Sequence, residues 1–246
     1  MKKFYNIFIL SLFLPKLLLT TKVDPDLISF NAKLWSKLLS DQRSETEYDD
    51  INTDDDIRKR KKVEFSNGID SNFDGEESVP WPNGEIPYTF DNIKFDQTFL
   101  MEFYSALKEF HTKTCVKFRP KRGSDRYFIK IIKDEGCWSY VGLQPELIDI
   151  GQEISLGDEC WKKGIIIHEL THVLGFFHEH SRFDRDLYIN LNHQNIQKNR
   201  IRQFDKRPKE KVDEFGTYDF LSILHYESTA FAIDKRHPTI IPKIQK

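Results

Sequence analysis

The sequence predicts an α+β domain, on three observations. Behind Asp96, the residues Phe99, Leu100, Phe103, Leu107 and Phe110 recur at the spacing of an amphipathic helix. Short runs of β-branched and aromatic residues precede and follow that helix. A second helix is read from His168 and His172, which stand four residues apart.

A chain of 246 residues, 39% of them hydrophobic, suffices for one sizeable core, or for one domain plus processed N-terminal segments. Its 37 basic and 39 acidic residues give a formal net charge of -2. That balance leaves no global field to recruit nucleic acid or an anionic membrane, so no nucleic-acid partner is expected.

Taken in order, residues 1–21 read as a signal peptide. Lys2 and Lys3 precede an almost wholly apolar run at 4–14, which Leu17, Leu18 and Leu19 continue. A membrane anchor is the alternative, but Pro15 and Lys16 break the run, and it falls short of the roughly 20 apolar residues needed to span a bilayer. No later segment is apolar enough to span, so no stable membrane insertion is expected and the chain is read as secreted and extracellular. Residues 22–80 are rich in Asp, Glu, Lys, Ser and Asn. An acidic run at 54–56 is followed at once by Arg58, Lys59, Arg60, Lys61 and Lys62. This reads either as a solvated linker or as a pro-segment with a basic processing site near 58–62, because a secretory protease can cut an exposed multibasic stretch.

The folded domain is expected over 81–246. It opens at the turn-forming cluster Trp81-Pro82-Asn83-Gly84, followed by a strand at 86–90 and the helix behind Asp96. Strands are expected at 114–118, 127–132, 137–141 and 152–156. Export places Cys115, Cys137 and Cys160 in an oxidising compartment. Three is an odd number, so one thiol stays free, pairs with another chain or lacks its partner.

The chemistry lies in His168-Glu169-Leu170-Thr171-His172-Val173-Leu174-Gly175-Phe176-Phe177-His178. On a helix, His168 and His172 aim their imidazoles at one point, a geometry zinc accepts. Glu169 sits about 100° further round, able to reach a water on the metal without ligating it. Gly175 can take a positive φ and end the helix, so that the chain turns back and brings His178 to the same ion. Three neutral imidazoles leave a fourth position for water, as in catalytic zinc sites, and Glu169 is the candidate general base. A helix that merely carries two histidines is the alternative; Gly175 and His178 at the required offsets weigh against it.

The extended motif is the metzincin signature. Its surroundings resemble the astacin family of zinc metalloendopeptidases: His178-Glu179-His180-Ser181-Arg182-Phe183-Asp184-Arg185-Asp186, Trp81-Pro82-Asn83-Gly84, Cys137-Trp138-Ser139-Tyr140-Val141-Gly142, Ser155-Leu156-Gly157 and Ser222-Ile223-Leu224-His225-Tyr226. The resemblance runs from about Trp81 to the end. It implies a metzincin-like domain of two subdomains around a cleft. The upper is a twisted mixed sheet with helices, including the zinc-binding one, and the lower is mostly irregular. It also implies one zinc ion per chain, protein or peptide substrates, and a latent precursor.

Residue by residue, the resemblance makes Tyr226 a zinc ligand at rest that swings to stabilise the oxyanion; on spacing alone it is an ordinary buried tyrosine. It ties Glu179 through water to the amino terminus released on activation, the alternative being a surface ion pair with Arg182. It pairs Cys137 with Cys160, and makes Cys137, Trp138, Ser139 and Tyr140 the edge strand to which substrate adds. Latency in the family comes from a pro-segment aspartate; Tyr48-Asp49-Asp50-Ile51 and Phe73-Asp74-Gly75-Glu76 both match in part, and Asp50 is preferred because it precedes the basic run.

The chain also departs from the family pattern. Leu224 replaces the methionine beneath the ligands, a nearly volume-conserving exchange, and Glu227 replaces a glycine. The C-terminal helix with a partner for Cys115 is not found before Lys246, so the lower subdomain is expected to be incomplete and Cys115 unpaired within this chain. These departures raise a second reading, a catalytically silent secreted binding protein that keeps the fold.

Overall fold

The computed structural model describes residues 79–91, 95–209 and 216–243; the expected signal peptide, the basic run at 58–62 and Asp50 lie outside the described residues. The first strand, β1 (Glu85–Phe90), leads to helix α1 (Gln97–Lys113). The Asp96 carboxylate caps that helix by accepting the N–H of Phe99 at 2.8 Å. Phe99, Phe103, Ala106, Leu107 and Phe110 are its buried stripe.

Thr114 does not open a strand as expected but closes α1, its N–H and hydroxyl both donating to the Phe110 carbonyl at 2.9 and 2.6 Å. Strand β2 therefore starts later, at Lys117–Pro120. It is followed by β3 (Ile129–Ile132), β4 (Cys137–Trp138) and β5 (Gln152–Leu156), the last at its expected bounds. These strands form one mixed sheet in the order β2-β1-β3-β5-β4. Every pairing is parallel except β4 with β5, which makes β4 an antiparallel edge.

Helix α2 (Lys163–Val173) packs beside α1, whose carboxylates serve its first turn: Glu102 accepts the Lys163 N–H at 3.1 Å and Glu109 the Lys163 ammonium at 2.5 Å. The core between sheet and helices includes Ile86, Ile129, Ile131 and Ile154 from the strands and Ile166, Ile167, Leu170 and Val173 from α2. A disulfide joins Cys137 on the edge strand to Cys160 just before α2, while Cys115 is an exposed free thiol.

Beyond α2 the chain is mostly short 3₁₀ turns, with one two-stranded antiparallel ribbon of β6 (Ile189–Leu191) and β7 (Ile240–Pro242). It gathers a second, smaller core of Ile189, Ile196, Phe204, Tyr218 and Ile240. The fold is thus α+β, with an upper sheet-and-helix part and a lower irregular part. No helix among the described residues is long and apolar enough to cross a membrane.

Candidate metal centre and active site

The two halves meet at the end of α2. Gly175 takes φ 105°, a conformation L side chains avoid, and its N–H closes the helix on the His172 carbonyl at 2.8 Å. The chain reverses there and delivers His178. His168, His172 and His178 each offer a ring nitrogen, and these three atoms lie within 4.8 Å of one another.

Hydrogen bonds orient two of the rings. The Nδ1 of His168 lies 2.7 Å from the Ile223 carbonyl and that of His172 lies 2.7 Å from the Phe176 carbonyl. A carbonyl only accepts, so each Nδ1 carries the proton and each Nε2 presents a lone pair. Those Nε2 atoms are 3.1 Å apart. Two lone pairs converging at that separation suit a shared cation, and a third imidazole beside them completes a donor set that zinc takes. The residues present fit the metal.

Glu169, next along the helix from His168, is buried, with 2% of its surface exposed. Its backbone is pinned to the sheet: the hydroxyl of Ser139, just past β4, donates to the Glu169 carbonyl at 3.1 Å, and the Gly142 N–H donates to the His172 carbonyl at 2.9 Å. These bonds explain why β4 pairs with β5 only through Cys137 and Trp138. Ser139 and Tyr140, expected to prolong the strand, lie beyond that ladder because the chain leaves it to dock on α2.

The lower half supplies Tyr226. Its ring packs 4.6 Å from the His178 ring and stacks on His180 at 3.9 Å with 28° between planes. Leu224, in the methionine position, is buried, and its carbonyl accepts the Glu179 N–H at 3.0 Å, while the neighbouring Ile223 carbonyl orients His168. The turn thus docks through backbone carbonyls rather than through the side chain at 224. Glu227 is exposed.

Glu179 is not the surface residue of the ion-pair alternative. It does reach Arg182, at 3.3 Å, but both side chains are largely buried, and the Glu179 carboxylate also accepts the Asp219 N–H at 2.8 Å. Sequence reasoning passed over His180 altogether. It is fully buried, and burial pushes its pKa well below the usual imidazole range, with the adjacent His178 adding to the effect. Only its place inside the quoted segment could have drawn attention to it.

Comparison with known proteins agrees with this geometry. Residues 74–246 match the family model Astacin, a peptidase family. The zinc metalloproteinase nas-13 of Caenorhabditis elegans is 41% identical over 176 residues, covering 71% of this chain and 38% of that protein. Bone morphogenetic protein 1 of Xenopus laevis is 39% identical, over 66% of this chain and 23% of the other. The chain therefore spans well under half the length of these relatives. Among solved structures, the high choriolytic enzyme 1 of the medaka fish Oryzias latipes, a hatching enzyme zinc-protease, superposes with a TM-score of 0.58 at 32% identity, covering 68% of this chain and 80% of that one. Myroilysin, at 18% identity and a TM-score of 0.51, shares the fold. The chain belongs to the astacin family of zinc metallopeptidases.

Proposed function

We propose that this protein is a secreted zinc-dependent endopeptidase made as a latent precursor. The observation that carries the zinc endopeptidase reading is the three-imidazole group of His168, His172 and His178 with the buried carboxylate of Glu169 one position along the same helix. Zinc bound by the three rings supplies Lewis acidity, lowering the pKa of water and polarising a scissile carbonyl. Glu169 takes the proton from the attacking water and hands it to the leaving amine. The Tyr226 phenol donates to the oxyanion as charge develops on the carbonyl oxygen. Cys137, Trp138, Ser139 and Tyr140 offer the edge to which an extended substrate adds; the place of β4 at the end of the strand order, antiparallel to β5, supports that role.

In the same reading residues 1–21 are removed on export, and 22–80 form a pro-segment that is cut near 58–62. Asp50 holds the site latent, and 81–246 is the catalytic domain. The buried, hydrogen-bonded Glu179 supports a link between the lower half and the amino terminus released by that cut.

The test is direct. Purified and trimmed chain is expected to cleave a denatured protein, to stop with a chelator and to recover with zinc, whereas Glu169→Gln binds zinc and does not cleave. Stoichiometric zinc without chelator-sensitive cleavage would favour the silent binding protein instead.

A further inference from the structure

His180 does not ligate the metal group, yet it is wholly buried against it. Its Nε2 lies 2.9 Å from the Gln203 carbonyl, so the ring donates there. That carbonyl belongs to the 3₁₀ segment Lys198–Phe204 of the lower core. Arg185 secures the same junction, donating to the His180 carbonyl at 3.0 Å and to the Phe204 carbonyl. So held, the imidazole lies nearly parallel to two rings: Tyr226 at 3.9 Å and 28°, and His178 at 5.3 Å and 27°. Among the described residues Tyr226 also meets Phe204 and Phe231, both edge-on, at 6.0 and 5.5 Å. The His180 contact is the one close stack on the phenol ring among these.

We propose that His180 is a positioning residue, a plate fixed to the lower core that holds the Tyr226 phenol beside the metal-binding His178. This rests on the reading of Tyr226 as a group that faces the metal and the oxyanion. A stacked ring of this kind resists departure of the phenol without bonding to its hydroxyl. It therefore sets where Tyr226 returns after each turnover. The plate is also continuous with the lower core: a displacement of Lys198–Phe204 moves Gln203, the imidazole bonded to it and the phenol stacked on that imidazole.

The full chain, processed and loaded with zinc or with copper(II), tests this. His180→Ala is expected to bind metal at unchanged stoichiometry, to lose up to about tenfold in kcat with KM little changed, the scale of one aromatic stack, and to weaken or shift the visible charge-transfer band of a phenolate bound to copper. Added to Tyr226→Phe, it is expected to cost nothing further in kcat, because the group it positions is gone. His180→Phe gives up the bond to Gln203 but keeps a ring still held in the lower core by packing against Phe204; it is expected to restore most of the kcat and the band, and it serves as the deciding variant where His180→Ala fails to fold. A folded His180→Ala with the wild-type kcat and band overturns the proposal. So do a folded His180→Phe as impaired as Tyr226→Phe, and a wild-type copper protein with no such band. Tyr226→Phe with undiminished kcat sinks the catalytic reading of Tyr226 itself, and the copper band then still decides whether His180 positions the phenol.

Discussion

Trp81 donates its indole N–H to the carbonyl of Val173 at 2.8 Å, joining positions 92 residues apart. Val173 is the last residue of α2, where carbonyls have no partner within the helix. Trp81, just ahead of β1, thus supplies the cap for the helix that carries His168 and His172. Trp81→Phe keeps most of the packing and leaves a buried carbonyl bare, so a loss of about 1–3 kcal/mol is expected from urea unfolding. A variant of wild-type stability would show that the bond contributes nothing.

That relationship also marks how far the sequence could be read. The three histidines were legible because their geometry is local: a helical repeat of four residues, then a glycine able to turn the chain. The Asp96 cap and the apolar stripe of α1 were legible for the same reason. The Thr114 boundary was missed because Thr and Val are good strand residues, and only the hydroxyl bond to Phe110 decides for the helix end. Ser139, His180 and the Trp81 cap act across 30, 23 and 92 residues, and no local periodicity encodes such contacts.

Removal of the Cys137–Cys160 bridge is a second expectation. It joins positions 23 apart in sequence, and its loss frees the unfolded chain by about 3 kcal/mol in the chain-entropy model. Cys137→Ala with Cys160→Ala is expected to lower the urea midpoint accordingly, while Cys115→Ser, at an exposed position, leaves it unchanged. Equal midpoints for the double variant and the wild type would contradict this.

A third concerns acid. Asp125 accepts two bonds from the Arg119 guanidinium, at 2.7 and 2.9 Å, and a third from the Arg122 N–H at 2.6 Å. The Arg119 bonds first, and the Arg122 amide after them, hold the Asp125 pKa well below its usual value. A depressed carboxylate contributes stability that is complete above its unfolded pKa of about 3.9 and is lost as pH falls toward the folded value. Asp125→Asn is therefore expected to lower stability by about 1 kcal/mol at neutral pH and to flatten the decline below about pH 4. Urea midpoints of chelator-treated protein across that range check the sign; a variant that falls as steeply as the wild type refutes it.

The last expectation separates the scaffold from the metal centre by comparing two glycines. A Cβ at Gly157 would stand 2.7 Å from the Asp134 carbonyl oxygen, so Gly157→Ala must push backbone apart beside the disulfide. At Gly175 the difficulty is conformational, because φ 105° costs an L residue about 1–3 kcal/mol. Both substitutions are expected to lower the stability of zinc-free protein by similar amounts. They differ in where the backbone relaxes. At Gly175 it relaxes through the bend that carries His178 while the His168 and His172 spacing on α2 is kept, so two ligands stay and the third drifts. Gly175→Ala is expected to weaken zinc binding about tenfold or more, since each 1.4 kcal/mol of misplacement is a factor of ten, whereas Gly157→Ala leaves zinc affinity within about twofold because it moves no ligand. Competition with a chromogenic chelator measures both. Equal zinc affinity in the two variants would mean that the bend after α2 does not govern the placement of His178.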